Sequence, residues 1–154
     1  MAEKKNRMVQ QPKGFIRFFS ALNRGWYKLT GGLIGGKFHG APVVLLTTKG
    51  RKTGKERTWP LLTIKQADAY TFVASFAGHD EHPSWYLNLV ADPDVAIREG
   101  RHTIRGRARV ATGSEREQIY QHFVDVYKTY GDYAKATERE IPVVIVEPVA
   151  APSH

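Results

Sequence analysis

Cysteine is absent from all 154 residues of the sequence. Its absence excludes disulfides, thiolate zinc sites, iron–sulfur clusters and a cysteine nucleophile, so any chemistry must use oxygen and nitrogen groups or a bound cofactor. Long apolar runs are also absent, and no segment approaches the roughly 20 residues that cross a bilayer. The first ten residues are polar and lack the apolar stretch of a secretory signal. We therefore expect a cytoplasmic protein.

Acidic residues are scarce relative to basic ones. The 15 Asp and Glu residues stand against 23 Lys and Arg residues, which gives a formal net charge of +8 and a pI near 9.8. This balance favours an anionic partner, and phosphate-bearing cofactors, nucleic acid and anionic lipid all qualify. The length predicts a single domain with one core.

Three segments are distinguished along the chain: residues 1–41, 42–147 and 148–154. In the first, the apolar residues between Pro12 and Thr30 recur at three- and four-residue steps, which predicts an amphipathic helix followed by a glycine-rich connection. The basic face of this helix is compatible with packing on the core or with weak, peripheral association with an anionic membrane surface. The last segment is expected to be a loose tail.

The middle segment contains short runs with strand character, separated by turn residues. The predicted strands are 42–48, 57–65, 69–76, 95–98, 102–111 and 141–146. This pattern predicts an α+β fold, mainly β, built on an antiparallel barrel.

Two helices are predicted among these strands. The first is opened by Pro83-Ser84 and closed before Asp92-Pro93. The second begins at Ser114, with Glu117 completing a capping box. Its apolar stripe is predicted to comprise Ile119, Phe123, Val126 and Tyr130.

Residues 49–57 carry five bases and two glycines, Gly50 and Gly54, between two predicted strands. Glycines allow tight turns that expose backbone N–H groups, and Lys, Arg and Thr donate charge-assisted bonds to phosphate oxygens. The segment is not a Walker A loop, because only three residues separate the glycines and Glu56 follows Lys55. Two interpretations of the segment remain possible: a loop that binds phosphate, or the solvated tip of a hairpin.

Residues 75–88 bring together a strand end, a glycine-containing loop and a helix N-terminus, where free N–H groups favour anions. His79 and His82 flank two acids, but their spacing matches no standard zinc motif. An exposed loop explains these residues more simply, so no metal is expected.

Two periodic patterns remain. Tyr127, Tyr130 and Tyr133 recur every three residues, which suits either an aromatic pocket wall with hydroxyl donors or ordinary burial. Alternating arginines 105, 107 and 109 lie on one side of a strand, either as a solvated face or as part of a cationic groove.

Together these motifs resemble the deazaflavin-dependent nitroreductase family over most of residues 42 to 147. The resemblance is carried by residues 45–57, Pro60-Leu61, Ser75 with Gly78, residues 83–89 and Asp92-Pro93. The sequence departs from the family pattern at Phe76-Ala77, where many members place a polar residue and glycine.

The resemblance implies an FMN-binding-like split β-barrel with flanking helices that binds coenzyme F420, an 8-hydroxy-5-deazaflavin with a phospholactyl polyglutamate tail. The residues implied to lie at the phosphate and tail are Thr48, Arg51, Lys52, Thr53, Gly54, Lys55 and Arg57. Those implied to surround the deazaflavin are Pro60, Leu61, Ser75, Phe76, Ala77, Gly78, Trp85, Tyr86 and Asn88.

By the same resemblance, the reduced cofactor passes a hydride to a small planar electrophile: a quinone, an activated enone or lactone, or a nitroaromatic compound. Tyr130 is the first choice for the hydroxyl that polarises this acceptor and Ser75 the second, with Tyr127 and Tyr133 lining the substrate side.

Three alternatives stay open at this point: the same barrel holding FMN, a basic barrel that binds single-stranded nucleic acid by stacking, and a lipid-binding module resting on the N-terminal helix. Nucleic acid is not expected, because the aromatic residues are mostly at helical spacing. The oligomeric state is not readable.

Overall fold

The computed structural model describes residues 37–38, 41–76 and 80–149. The predicted amphipathic helix of residues 12–30 lies outside this part of the chain, and so does the membrane association that rests on it. Residues 150–154 of the predicted tail lie outside it as well. In the described ranges, no helix is both long and apolar enough to cross a membrane.

The described part of the chain contains eight strands, joined in one antiparallel sheet, and three helices. The strands are β1 (Lys37–Phe38), β2 (Ala41–Lys49), β3 (Glu56–Leu62), β4 (Ile64–Gln66), β5 (Ala69–Val73), β6 (Asp94–Glu99), β7 (His102–Val110) and β8 (Val143–Pro148). The helices are α1 (Ser84–Ala91), α2 (Gly113–Val126) and α3 (Thr129–Ala136).

The sheet follows the order β1-β2-β6-β7-β8-β5-β4, and β3 also pairs with β2. Buried Thr63 links β2 with β5, the second and the second-last strands of this path. Its backbone N–H donates to the carbonyl of Pro42 at 3.0 Å, and its hydroxyl donates to the carbonyl of Thr71 at 2.9 Å. At this residue the chain leaves the β2 side and crosses to β5, which curls the sheet. The expected mainly β, split antiparallel barrel is thereby confirmed.

Two clusters of buried side chains cover the two faces of the sheet. On β5, Phe72 belongs to the cluster shared with Trp85 of α1, whereas its neighbour Val73 packs with Phe123 of α2. Adjacent strand residues point to opposite faces, so a strand covered on both sides is apolar at every position. This explains the apolar runs 72–74 and 143–146, and it places α1 and α2 on opposite faces.

Three details of the predicted elements are wrong. The run 57–65 is broken at Thr63 because that residue bonds to two other strands. The capping box at Ser114 is not formed, since α2 begins at Gly113 after Thr112, and no side chain caps it. Glu117 instead pairs with Arg116.

The third correction concerns the predicted stripe that ends at Tyr130. Helix α2 ends at Val126, which is 39% exposed, and Tyr127 adopts an extended backbone conformation. Tyr130 therefore belongs to a separate helix, α3. Its ring nevertheless reaches the same cluster, with its centroid 5.3 Å from that of Phe123.

Candidate active site

A cavity of about 690 Å³ lies where the basic β2–β3 hairpin, the end of β5, helix α1 and helix α3 meet. It brings together eleven of the residues predicted from the sequence. These are Arg51, Lys52, Thr53, Arg57, Pro60, Leu61, Ser75, Phe76, Trp85, Asn88 and Tyr130. Residues far apart in the sequence thus share one space, and its volume is typical of a small-molecule site.

Other predicted residues lie near the cavity without lining it. Gly54 and Lys55 form the exposed end of the hairpin, and Thr48 is buried beneath it. Tyr86 faces away and packs against His82, with 4.8 Å between the ring centroids. Ala77 and Gly78 lie outside the described residues.

The cavity also has lining residues that the sequence prediction missed, including Trp59, Leu62 and Phe72. The place of Trp59 could have been predicted from the sequence. Arg57, Trp59 and Leu61 alternate along β3, so they share one face. Phe72 had no such signal, since an apolar residue within a strand is expected to lie in the core.

The basic hairpin has a defined shape. The N–H of Gly50 donates to the carbonyl of Lys55, and the N–H of Gly54 donates to the carbonyl of Gly50, both at 2.8 Å. Gly54 has a φ of +73°, a conformation that favours glycine, and a Cβ at Gly50 would lie 3.0 Å from the Lys55 carbonyl oxygen. The turn therefore needs both glycines.

The cations of this hairpin face solvent. Lys52, Lys55 and Arg57 are exposed, and none of them forms an ion pair with another described residue. Unpaired ammonium and guanidinium groups on a fixed turn are suited to bind phosphate or carboxylate groups.

Asn88 joins the hairpin to helix α1. Its side-chain nitrogen donates to the hydroxyl of Thr48 at 3.1 Å, and its side-chain oxygen accepts from the Arg51 guanidinium at 2.9 Å. The backbone N–H of Arg51 also points to this oxygen, at 3.3 Å. The amide of Asn88, predicted as a ring contact, is thus engaged in fixing Arg51 at the cavity edge.

The three predicted tyrosines form one aromatic cluster with Tyr130 at its centre. The Tyr130 ring meets those of Tyr127 and Tyr133 edge-on, at centroid distances of 5.8 and 5.7 Å. Of the three, only Tyr130 lines the cavity. Burial raises the pKa of the Tyr130 phenol well above its usual range, and burial also raises the pKa of Tyr133 to about 12. Both hydroxyls therefore stay protonated at neutral pH and remain hydrogen-bond donors.

Asp80 and His82, which follow Ser75 in the sequence, serve other contacts in the described chain, and His79 lies outside the described residues. Asp80 accepts from the Thr137 hydroxyl at 2.8 Å, and His82 contacts Arg139 and Tyr86. Among residues 37–38, 41–76 and 80–149, no group of three or more His, Asp or Glu side chains is arranged to hold a metal ion.

The alternating arginines 105, 107 and 109 lie on the exposed face of β7, away from this cavity. Arg109 pairs with Glu115 and Glu147, at 2.7 and 3.2 Å. The interpretation as a solvated sheet face therefore fits these residues better than an extension of the cationic groove.

Taken together, the curled sheet and its cavity define a split-barrel protein whose site is lined by both cationic and aromatic residues. The chain belongs to the F420H(2)-dependent quinone reductase family, whose model matches residues 21–148. This membership confirms the expectation of a deazaflavin-dependent oxidoreductase that uses coenzyme F420.

Individual relatives agree with this assignment. The chain is 36% identical over 135 residues to the F420H(2)-dependent quinone reductase Rv1261c of Mycobacterium tuberculosis, covering 85% of this chain and 88% of that protein. It is similar to a solved F420-H2 dependent reductase, FDR-A, with 42% identity, a TM-score of 0.64 and coverage of 69% of this chain and 94% of the other. A second solved structure, a domain-swapped dimer, has 36% identity and a TM-score of 0.65, with 83% of this chain and 100% of the other covered.

Proposed function

We propose that this protein reduces a quinone to the hydroquinone, with the cofactor's anionic tail on the β2–β3 hairpin and its ring inside the cavity. The observation that carries the proposal is the polarity of the cavity. Exposed Lys52 and Arg57 of the hairpin and buried Tyr130 of α3 line the same space, so its wall combines cationic with aromatic groups.

The residues present fit such a cofactor. A phosphodiester and several glutamate carboxylates match the exposed cations of the hairpin. A planar ring matches the walls made by Trp59, Leu61 and Trp85. When bound, the reduced deazaflavin supplies the hydride, so the protein has to supply orientation, exclusion of water and a hydrogen-bond donor.

Tyr130 is the residue we assign to the acceptor. Its phenol is protonated and nearly enclosed by Phe123, Tyr127 and Tyr133, yet it borders the cavity. A quinone oxygen gains negative charge as the hydride arrives, and a donor held in a low-dielectric site stabilises that charge. Ser75, which is 8% exposed, lies in the same cavity as the second donor.

Enones, lactones and nitroaromatic compounds are proposed as weaker acceptors, because they also place an oxygen that gains charge on a planar frame. Binding of nucleic acid is not favoured. Stacking of bases needs exposed rings beside the cations, whereas Trp85 is 4% exposed and the half-buried Trp59 lines the same cavity.

The proposal is tested by steady-state oxidation of reduced F420, followed by the return of the absorbance of the oxidised deazaflavin. A soluble quinone, an enone and a nitroaromatic compound are compared at matched concentrations. We expect the quinone to give the highest kcat/KM and a hydroquinone product in equal amount to the reduced F420 consumed. Turnover that is absent with quinone but present with another acceptor would overturn the choice of substrate.

A further inference from the structure

We propose that Arg139, which no sequence motif identifies, is a positioning residue for this reduction. It holds the backbone at Ser75 and Phe76, where these residues form a wall of the cavity. The inference rests on the proposed function of the cavity, because the wall matters to turnover only if the reacting rings lie against it.

The contacts of Arg139 converge on the end of strand β5. One guanidinium nitrogen, Nη2, donates to the carbonyl oxygens of Ala74 and Ser75, at 3.2 and 2.8 Å. The other, Nη1, lies 3.2 Å from Nδ1 of His82. Because arginine has only donors, that ring nitrogen accepts the bond. The guanidinium is half-buried, and burial lowers its pKa.

This end of β5 needs such a partner. The last bond of the strand region runs from the N–H of Ala74 to the carbonyl of Pro142, at 2.9 Å. Beyond it the Ser75 carbonyl has left the sheet, and a buried carbonyl without a partner is costly. The next residue, Phe76, has a φ of +45°, a left-handed conformation that is unfavourable for a residue with a Cβ. Arg139 supplies the bonds that stabilise this turn.

Arg139 also connects the two sides of residues 77–79. It bonds to Ala74 and Ser75 before them and to His82 after them. Its own N–H donates to the hydroxyl of Thr137, at 3.3 Å, and that hydroxyl donates to Asp80. The segment 137–139 therefore ties both flanks of residues 77–79 to one point.

The chain just beyond Arg139 is anchored on α2. Nη2 of Arg116, a largely buried side chain, donates to the carbonyl of Ile141 at 2.7 Å. The wall at Ser75 is thus linked through Arg139 to the helix that packs against Tyr130. Loss of the guanidinium should let Ser75 and Phe76 shift relative to the tyrosine, while the basic hairpin keeps its shape.

The test uses the full chain loaded with F420 and compares Arg139→Ala and Arg139→Lys with Arg109→Ala. Arg109 is a matched control because it bonds to Glu115 and Glu147 on the outer sheet face and does not line the cavity. We expect Arg139→Ala to lower kcat by about tenfold to a hundredfold, as misplaced reacting groups do. KM for quinone and affinity for F420 should change by less than about threefold.

Two readouts separate positioning from general loss of structure. Millimolar methylguanidinium should restore part of the turnover of Arg139→Ala and none in Arg109→Ala, since only the first has a guanidinium-shaped gap beside carbonyls. Arg139→Lys keeps a charged donor and should retain more turnover than Arg139→Ala. An unchanged kcat in Arg139→Ala, or a loss explained entirely by weaker F420 binding, would overturn the inference.

Amide hydrogen exchange tests the role of Arg139 without requiring any turnover. In Arg139→Ala, exchange should increase in the peptide spanning Ser75 to His82 and stay unchanged in the peptide spanning the β2–β3 hairpin. If wild-type protein fails to reduce quinone, the proposed function fails, but this exchange result still decides whether Arg139 holds the backbone at Ser75. If Arg139→Ala does not fold, Arg139→Lys is judged by the same exchange and turnover, and wild-type values for both would reject the inference.

Discussion

At the scale of single residues, Tyr130 combines the two properties that a donor to a charged transition state requires. It is shielded by three aromatic rings, and its phenol stays protonated because burial raises its pKa. Its backbone carbonyl accepts a bond from the Tyr120 hydroxyl, which fixes the start of α3 against α2. The side chain is therefore held in place before any ligand arrives, and such preorganisation is what makes a hydrogen bond effective in catalysis.

We predict that Tyr130→Phe lowers kcat by about tenfold to a thousandfold with little change in F420 affinity, because only the hydroxyl is removed. Tyr70→Phe is the matched control, since the Tyr70 hydroxyl bonds to Glu99 outside the cavity. Steady-state kinetics with quinone, enone and nitro acceptors provide the measurement. Wild-type turnover of Tyr130→Phe on all three would transfer the donor role to Ser75 or to water.

His82 should make stability depend on pH. Burial, together with the charge of Arg139, lowers the pKa of its imidazole, and its ring also packs on Tyr86. The neutral ring is favoured in the folded state, so its contribution is complete above the unfolded pKa of about 6.5 and is lost as the pH falls through the lower folded pKa.

Urea unfolding between about pH 7.5 and pH 5 tests this expectation. The free energy of unfolding should fall toward acid in wild type. The fall should be smaller in His82→Asn, whose side-chain oxygen replaces the ring acceptor without titrating. His122→Asn, at an exposed position, should keep the wild-type slope. Equal slopes in all three proteins would remove His82 from the pH response.

At the scale of structural elements, the basic hairpin and helix α1 form one unit through Asn88, which bonds to Thr48 and to Arg51. The hairpin thus presents its cations from a fixed position.

We predict that Arg51→Ala with Lys52→Ala weakens F420 binding about a hundredfold or more, since two charge-assisted bonds contribute ~1.5–3 kcal/mol each. The pair Arg105→Ala with Arg107→Ala removes the same charge from the exposed face of β7 and should leave binding nearly unchanged. Calorimetric titration measures both, and raised salt should mimic the first pair only. Unaltered affinity in the first pair would exclude the hairpin from the site.

The β7–β8 contact makes a further prediction about stability. A Cβ at Gly106 would lie 2.4 Å from Cγ1 of Val146 and 3.1 Å from the carbonyl oxygen of Glu147. Gly106→Ala should therefore cost ~1–3 kcal/mol, as overpacking does. In Gly131→Ala the nearest atom is at 3.7 Å, an ordinary contact, so this helical change should stabilise the protein by ~0.5–1 kcal/mol. If urea unfolding shows that both substitutions change the free energy of unfolding in the same direction, this account is contradicted.

Elements with strong local patterns were predictable from the sequence. Strands β2, β6 and β7 and helix α1 lie within about two residues of their predicted bounds, because alternation, turn residues and the flanking prolines of α1 are local signals. The break between α2 and α3 was not predictable. No glycine or proline marks Tyr127 and Lys128, and the apolar spacing continues through them to Tyr130.

The candidate site divides in the same way. The hairpin cations, Ser75 and Tyr130 were accessible because their motifs resemble a known family. Arg139 was not, since it meets Ser75 only through folding, 64 residues away in the sequence. The bonds of Thr63 to two strands belong to the same class of contact. Long-range polar contacts leave no periodic trace in the sequence.

At the scale of the whole molecule, the net charge of +8 has a local counterpart in the hairpin. On the outer sheet face, part of the positive charge is neutralised by ion pairs, such as those of Arg109 with Glu115 and Glu147. The hairpin cations Lys52, Lys55 and Arg57 have no such partner among the described residues. A long anionic tail matches this asymmetry in charge, whereas FMN offers a single phosphate.

The central claim, that the cavity binds F420 through its tail, is tested most directly by parallel titrations of the full chain with F420 and FMN. Tryptophan fluorescence reports both, since two of the three tryptophans, Trp59 and Trp85, line the cavity. We predict that F420 binds at least about tenfold more tightly, a difference of ~1.4 kcal/mol, and loses more affinity than FMN as salt is raised. Equal or tighter binding of FMN, with the same dependence on salt, would contradict the account.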